Sequence, residues 1–552
     1  MKASELFVRA LENEDVEYIF GVPGEENIHI MDALLDSDIR FILCRHEQGA
    51  AFMADVYGRL TGEPGVCLAT LGPGATNLIT GFSDANMDNA PIIAIAGQGA
   101  TTRMHKESHQ ILNLVRLFEP ISKYSVGIRS PKTIPEVVRK AFKVAKTEKP
   151  GGCFMDLPED VASAELPVGA FLPNDDTDEP AAQLEQIEEA AEIISGARFP
   201  IVMAGNGIVR ARACAELVAF AENLNIPVAN TFMAKGCMPF SHRLSFGTVG
   251  LQARDYVACG FARADVVICV GYDIVEYHPY LWHPDKDKKI VHIDACVSEV
   301  DEHYVTRCEV TGDVGVSLER IAERVKSRSG ENYYQKMSEY SATLRNVIVD
   351  EFDRHAADDG FPVKPQKILA DIREVLGRED IVISDVGAHK MWVARMYQAE
   401  AANTCIISNG FASMGIGVPG AIAAKLVHPD RNVLTVTGDA GFMMNSQEIE
   451  TAMRINTPIV ILIWRDDGYG LIRWHQLKAF GRDSHIDFAN PDFVQYAESF
   501  GARGFRVGSA GELRGVLEEA VGCGTVAIVD CPVDYSENMK FTEEMGQLVC
   551  PI

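Results

Sequence analysis

Short apolar segments alternate with helical patterns along the whole chain of 552 residues. In the first third, four such segments lie at residues 18–22, 39–44, 66–70 and 92–96. Apolar segments of this length are typical of strands buried on both faces, and intervening helices connect such strands in parallel. We therefore predict an α/β fold built from doubly wound parallel sheets.

The same alternation recurs twice more, so we predict three doubly wound domains. The later strands are predicted at residues 201–204, 228–230, 266–270 and 290–293, and at residues 381–384, 433–437, 459–464 and 526–529. Residues 166–180 contain three prolines and an acidic run, which indicates a linker. The predicted segments are an N-terminal domain (1–165), a linker (166–185), a central domain (186–330), a helical connector (331–362) and a C-terminal domain (363–552).

Acidic residues outnumber basic ones, 78 to 51, which gives a formal net charge of −27. Because this charge repels phosphate backbones, we expect no nucleic-acid partner. Acidic residues occupy the N-terminal segment where a signal peptide needs apolar ones, and no apolar run of about 18 residues follows. We expect a soluble, cytoplasmic protein with no membrane partner.

Two acidic motifs follow neighbouring strands of the predicted third domain. The first is Gly438-Asp439-Ala440-Gly441, and the second is Asp466-Asp467-Gly468-Tyr469-Gly470. The carboxyl ends of parallel strands are where doubly wound sheets bind ligands. Asp439, Asp466 and the carbonyl of Gly468 could bind Mg²⁺, whose other ligands would be diphosphate oxygens. Taken alone, both motifs are equally compatible with ordinary turns.

This pair of motifs resembles the signature of thiamin diphosphate enzymes, which is Gly-Asp-Gly followed about 30 residues later by Asn-Asn. Ala440 stands in place of the final glycine, and Asp466-Asp467 stands in place of the asparagines. Asp466 keeps an oxygen ligand and adds a negative charge, so metal preference could differ.

A second part of the resemblance lies upstream, in the segment Arg45-His46-Glu47-Gln48-Gly49. The resemblance implies that Glu47 contacts N1′ of the cofactor's aminopyrimidine and so promotes loss of the proton at C2 of the thiazolium. Without the resemblance, a glutamate at a helix start is better explained by the helix dipole. The turn at residues 70–77, with Thr70, Gly72, Pro73 and Asn77, completes this part.

The third domain adds residues 386–392 and 408–419 to the resemblance. In the family, the methionine matching Met414 wedges between the two cofactor rings. The cofactor-binding residues that the resemblance implies are Pro23, Gly24, Thr70, Gly72, Pro73, Asn77, Gly387, His389, Ala412, Met414, Gly438, Asp439, Ala440, Gly441, Asp466, Gly468, Tyr469, Gly470 and Leu471.

Within this superfamily, the chain resembles acetolactate synthases of the catabolic type that works without FAD. Four segments carry this narrower resemblance, at residues 106–110, 271–279, 496–502 and 532–535. The segment Gly205-Asn206-Gly207 is a partial dinucleotide-like turn that lacks a third glycine, and we interpret it as structural.

The resemblance implies that pyruvate is decarboxylated on thiamin diphosphate and that the hydroxyethyl carbanion is transferred to a second pyruvate, giving 2-acetolactate and CO₂. Gln110, with His109 beside it, is the candidate for orienting the acceptor. A homodimer or homotetramer with active sites at subunit interfaces is expected.

Two alternatives remain at this stage. One is another thiamin diphosphate-dependent 2-oxoacid decarboxylase or carboligase, and the other is an inactive cofactor-binding subunit. The presence of Glu47 together with Asp439 and Asp466 argues against the inactive subunit, because cofactor anchoring alone does not need the glutamate.

Overall fold

The computed structural model describes residues 1–167, 171–174, 179–250, 256–328 and 335–538. These residues form three parallel six-stranded sheets with helices between the strands, as predicted. Parts of the predicted linker (168–170 and 175–178) and of the connector (331–334) lie outside the described residues. The domain boundaries themselves stay a prediction.

The N-terminal sheet has the strand order β2-β1-β3-β4-β6-β5. Its strands are β1 (Tyr18–Gly21), β2 (Arg40–Leu43), β3 (Gly65–Ala69), β4 (Ile92–Gln98), β5 (Tyr124–Gly127) and β6 (Gly152–Pro158). Its helices are α1 (Ala3–Glu12), α2 (Ile28–Leu34), α3 (Glu47–Thr61), α4 (Pro73–Met87), α5 (Leu114–Phe118), α6 (Ile134–Lys146) and α7 (Glu159–Ala162).

The central sheet has the order β12-β11-β10-β7-β8-β9. Its strands are β7 (Pro200–Ala204), β8 (Val228–Asn230), β9 (Ser245–Thr248), β10 (Val266–Val270), β11 (Lys289–Asp294) and β12 (Thr306–Thr311). Its helices are α8 (Leu184–Ser195), α9 (Asn206–Arg210), α10 (Cys214–Leu224), α11 (Tyr256–Arg263), α12 (Pro279–Trp282) and α13 (Val314–Arg328).

The C-terminal sheet repeats the strand order of the N-terminal sheet, as β14-β13-β15-β16-β18-β17. Helix α14 (Gln335–Ala356) precedes it. Its strands are β13 (Ile381–Ser384), β14 (Cys405–Ile407), β15 (Val433–Gly438), β16 (Val460–Arg465), β17 (Arg503–Arg506) and β18 (Ala527–Pro532). Its helices are α15 (Pro365–Val375), α16 (Ala388–Met396), α17 (Gly417–Val427), α18 (Asp439–Asn445), α19 (Glu448–Arg454), α20 (Gly470–Phe480), α21 (Phe493–Ser499) and α22 (Leu513–Gly522).

In each outer sheet the strand order reverses at the edge formed by β5 or β17 and, further inside the sheet, between β1 and β3 or between β13 and β15. At the inner reversal, connections leave the two neighbouring strands toward opposite faces, and this opens a crevice at their carboxyl ends. The two crevices are therefore the places where ligands are expected.

The N-terminal and C-terminal domains share one apolar core. Helix α3 packs against α17, and Phe52 and Val56 belong to the same buried cluster as Val418 and Ile422. Within the described ranges, no helix combines the length and apolar character needed to cross a bilayer. The cytoplasmic location stays a prediction.

A buried carboxylate reinforces this contact between the two domains. Glu448, at the start of α19, accepts hydrogen bonds from the backbone N–H groups of Arg45 and His46 at 3.0–3.2 Å, and from the Thr451 hydroxyl at 2.6 Å. Burial raises the pKa of Glu448. The first N–H groups of a helix have no partner within the helix, so Glu448 supplies acceptors where α3 begins.

We expect Glu448→Ala to destabilise the protein by about 1–3 kcal/mol, because two buried N–H groups lose their acceptor. Glu450→Ala is the matched control, since Glu450 lies on the same helix and forms only a partly exposed ion pair with Arg454. Thermal unfolding of both variants measures the difference. Equal stability of the two variants would contradict the role given to Glu448.

Candidate functional site

The N-terminal crevice brings together the predicted residues of that domain. Glu47 is the first residue of α3 and is half-buried, and its Oε2 atom accepts a hydrogen bond from Nδ2 of Asn77 at 3.0 Å. A Cβ atom on Gly74 would lie 3.0 Å from the Thr70 side chain and 3.3 Å from Oε1 of Glu47. The glycine therefore lets the turn after β3 approach the glutamate.

Two further close approaches shape this crevice. A Cβ atom on Gly24 would lie 2.3 Å from Cβ of Thr70, and one on Gly72 would lie 2.6 Å from the carbonyl oxygen of Gln110. Thr70 also donates to Glu26 at 2.9 Å, a buried partner that the sequence analysis did not single out. The side chains of His109 and Gln110 are exposed at the rim, as is Pro23, while Pro73 begins α4.

In the C-terminal crevice, His389 joins two predicted segments. Its ring lies beside Gly387 and Gly438, since Cβ atoms on these glycines would lie 2.8 Å and 3.4 Å from its Cε1 atom. Burial lowers the pKa of His389 to about 4, so the ring is neutral at pH 7. Its buried Nε2 atom has no hydrogen-bond partner among the described residues.

Asp439 follows β15 and is buried among hydrogen-bond donors. Its Oδ1 accepts from the Ala440 N–H at 2.9 Å, and its Oδ2 accepts from the Asp467 N–H and from Asn490 at 2.8 Å each. Burial raises the pKa of Asp439. Asn490 was missed by the sequence analysis, because it lies in a connecting segment without a motif of its own.

Asp466 is the least satisfied side chain of this crevice. Its buried Oδ2 atom has no hydrogen-bond partner among the residues described, and the nearest cation is Arg473 at 3.6 Å. Burial and then the charge of Asp439 raise the pKa of Asp466 to about 7. A Cβ atom on Gly470 would lie 2.5 Å from Oδ2 of this carboxylate, so a side chain at this position would displace the carboxylate.

The segment that carries Met414, residues 408–416, is named here the Met414 loop. Ala412 has a φ of +54°, and Met414 is half-buried. Asp385, directly after β13, accepts from the N–H groups of Gly415 at 2.9 Å and Gly417 at 3.1 Å. Asp385 was missed by the sequence analysis, although its place at the end of a buried strand was a usable signal.

The other predicted residues lie around these side chains. Gly441 lies against Asp385, Tyr469 is partly exposed, and Leu471 packs against the C-terminal core. Gly468 is close to both Arg473 and the carbonyl of Ile486. The predicted residues thus form two groups, one in each crevice.

The comparison with known families matches this arrangement domain by domain. Residues 1–117 match the thiamine pyrophosphate enzyme N-terminal TPP binding domain, residues 187–321 match the central domain, and residues 385–531 match the C-terminal TPP binding domain. Thiamine pyrophosphate is another name for thiamin diphosphate.

Relatives align with nearly the whole chain. An acetolactate synthase of Bacillus subtilis (strain 168) is 35% identical, and the alignment covers 99% of this chain and 97% of the relative. The catabolic acetolactate synthase of Raoultella terrigena is 34% identical with the same coverage. A probable acetolactate synthase large subunit of Methanocaldococcus jannaschii is 35% identical over 99% of this chain and 94% of the relative.

This chain belongs to the acetolactate synthase family of thiamine pyrophosphate enzymes. The predicted family, its fold and thiamin diphosphate binding are confirmed. The individual site residues stay predictions.

The two crevices suit the cofactor of this family. The unpartnered Nε2 of His389 and Oδ2 of Asp466 are polar atoms available to a ligand group. Gly24 and Gly470 leave room where a side chain would collide with the crevice wall. Both crevices therefore have features that a bound cofactor needs.

We expect Gly470→Ala to weaken cofactor binding at least tenfold, because the new methyl group displaces the Asp466 carboxylate. Gly515→Ala is the matched control, since Gly515 has open space where its Cβ would lie. Titration with thiamin diphosphate and Mg²⁺, followed by tryptophan fluorescence, measures both dissociation constants. Unchanged binding by Gly470→Ala would contradict the position given to Asp466.

Proposed function

We propose that this chain is an acetolactate synthase that converts two molecules of pyruvate into 2-acetolactate and CO₂. The observation that carries this function is the family match along the chain together with Glu47 and Asp439 in the two crevices. An inactive subunit would need the acidic side chains for anchoring but not a glutamate oriented by Asn77.

Glu47 is assigned the proton transfer at the aminopyrimidine end of the cofactor. The hydrogen bond from Asn77 to Oε2 fixes the orientation of its carboxylate. When bound, thiamin diphosphate supplies the electron sink for loss of the pyruvate carboxyl group.

Mg²⁺ is assigned to Asp439, Asp466 and the carbonyl of Gly468. Hard oxygen donors suit this ion, and Asp466 has an oxygen without a partner among the described residues. The described chain contains no group of three or more His, Cys, Asp or Glu side chains that could hold a metal. Diphosphate oxygens would therefore complete the shell, and His389 would contact the diphosphate.

The acceptor pyruvate is assigned to the rim of the N-terminal crevice. Gln110 lies there against Gly72, with His109 beside it, and both side chains are exposed. Their exposure leaves donors available to the carboxylate or ketone of a second pyruvate that enters after the first pyruvate has lost CO₂. Water must be kept from this rim. If the decarboxylated donor were protonated before the second pyruvate binds, acetaldehyde would be released in place of acetolactate.

Flavin is not part of the proposed enzyme. In a dinucleotide site, the first turn after the leading strand offers its N–H groups to a pyrophosphate. Here the Asn206 N–H donates to both carboxylate oxygens of Glu276, at 2.9 and 3.1 Å. This N–H group already has a buried partner in the chain, which supports the proposal that no flavin pyrophosphate binds at this turn.

The proposed active site needs two chains. Glu47 is held by residues of the N-terminal domain, whereas Asp439 is held by residues of the C-terminal domain. Met443 and Met444, on α18 directly after Asp439, are each more than 40% exposed. An apolar surface beside an incomplete site is typical of an interface, so a homodimer or a dimer of dimers would cover it with the N-terminal domain of a second copy.

We expect Glu47→Gln to lower acetolactate formation from pyruvate by about 10²- to 10⁴-fold, because the amide cannot exchange the proton. Glu63→Gln is the control, since Glu63 is exposed and pairs with Lys146 near the end of α3. Acetolactate and acetaldehyde are quantified separately, with thiamin diphosphate and Mg²⁺ and with or without FAD.

Acetolactate that disappears in Glu47→Gln, and that does not depend on FAD, supports the proposed function. Acetaldehyde alone would place the chain with the decarboxylases. Neither product, despite bound cofactor, would indicate a different substrate or an inactive subunit.

A further inference from the structure

A buried cluster of charges lies at the contact between the N-terminal and C-terminal domains. Arg59 on α3 forms ion pairs with Asp55 at 2.8 Å, with Asp84 at 3.0 Å and with Asp88 at 2.8 Å. The three carboxylates are fully buried, and the guanidinium nearly so. One cation thus faces three anions away from water.

This excess of buried negative charge needs further donors, because an uncompensated buried charge is costly. Burial, and then the charges of Asp88 and Asp55, raise the pKa of Asp84. Lys390 on α16 lies near Asp88 and Asp84, and burial lowers its pKa to about 8. The cluster therefore depends on groups of the C-terminal domain.

Most of these groups belong to the Met414 loop. Asp88 accepts hydrogen bonds from the N–H groups of Asn409 at 3.0 Å and Gly410 at 2.5 Å. Asp84 accepts from the Ser408 hydroxyl at 2.7 Å and from the Ser413 N–H at 3.2 Å. Two carboxylates of α4 and its C-terminal cap thus hold four donors of the loop.

Met414 lies between this attachment and a second one. The residue before it, Ser413, donates to Asp84, and the residue after it, Gly415, donates to Asp385 of the C-terminal domain. Ala412 has a left-handed backbone with φ of +54°, which a non-glycine residue adopts only where its surroundings impose it. The N-terminal domain supplies part of that constraint.

We propose that Asp84 and Asp88 of the N-terminal domain are positioning residues that fix the Met414 loop of the same chain for cofactor binding. Helices α3 and α4 then have two roles. Near their starts they carry Glu47 and Asn77. Near their ends, Arg59 of α3 pairs with Asp84 and Asp88, and these two carboxylates hold the loop. In the proposed homodimer, these helices link the Glu47 of one active site to the Met414 loop of the other.

Asp88→Asn tests this role. Asp88 accepts from the N–H groups of Asn409 and Gly410, and in the variant one of these two N–H groups faces an amide NH₂ instead of an oxygen. Asp55→Asn is the matched control, since Asp55 is equally buried and pairs with Arg59 but accepts nothing from the loop. Hydrogen–deuterium exchange of the cofactor-free protein measures the amides of residues 409–413. Titration with thiamin diphosphate and Mg²⁺ measures binding.

For Asp88→Asn we expect at least tenfold faster exchange of the Asn409 and Gly410 amides and at least tenfold weaker cofactor binding. Asp55→Asn should change neither, and exchange in the other sheets should stay as in the wild type. If Asp88→Asn does not fold, Ser408→Ala is the second variant. It removes the hydroxyl that donates to Asp84 at 2.7 Å and accepts weakly from the Ser413 N–H at 3.3 Å, and it should give the same changes to a smaller extent.

Equal effects of Asp88→Asn and Asp55→Asn would overturn the proposal, because they would indicate a general loss of packing. Faster loop exchange with unchanged cofactor binding would also overturn it. The inference rests on the proposed function only where it links the Met414 loop to catalysis. Hydrogen–deuterium exchange of the cofactor-free protein does not depend on the reaction, so it tests the attachment of the loop even if the proposed function is wrong.

Discussion

The whole site depends on where the connections of two parallel sheets diverge. The N-terminal and C-terminal sheets share one strand order, and each opens a crevice at its inner reversal point. Thr70 follows β3 at one crevice, while Asp385 and Asp439 follow β13 and β15 at the other. The fold therefore places Glu47 at one crevice and buried carboxylates at the other, and the proposed proton transfer and cation binding rest on these positions.

Buried carboxylates with backbone donors hold these half-sites in place. Asp385 accepts from the C-terminal end of the Met414 loop, and Asp88 accepts from its start. Asp84 accepts from Ser408 and Ser413 of the loop, and Glu448 supplies acceptors where α3 begins. Each carboxylate is satisfied by N–H groups of a segment that would otherwise have unpaired donors. One buried oxygen of Asp466 has no hydrogen-bond partner among the described residues, which supports the ligand position proposed for it.

The sequence pattern predicted the inner strands of the sheets better than the edge strands. All twelve predicted strands are present, whereas β5, β9, β12, β14 and β17 at sheet edges and the inner strand β6 were not predicted. Edge strands such as β17, Arg503–Arg506, are not buried on both faces and so lack a continuous apolar run. In β6, Asp156 and the terminal glycine and proline interrupt the apolar pattern.

The sequence also predicted only part of the candidate site. Residues in motifs, such as Glu47 and Asp439, were predicted from the resemblance of those motifs to the thiamin diphosphate enzymes. Asn490 and Glu448 were not, because their partners lie 51 and about 400 positions away in the sequence. Contacts between distant segments are set by the packing of domains, which local patterns do not encode.

An active site divided between two chains is the central claim, and mixing two inactive variants tests it most directly. Glu47→Gln disables the N-terminal half-site and Asp439→Ala disables the C-terminal half-site. Random reassociation of the two variants gives about half heterodimers, each with one intact site, so about a quarter of the wild-type acetolactate activity should return. Activity that stays at the level of the separate variants would contradict a site shared between chains.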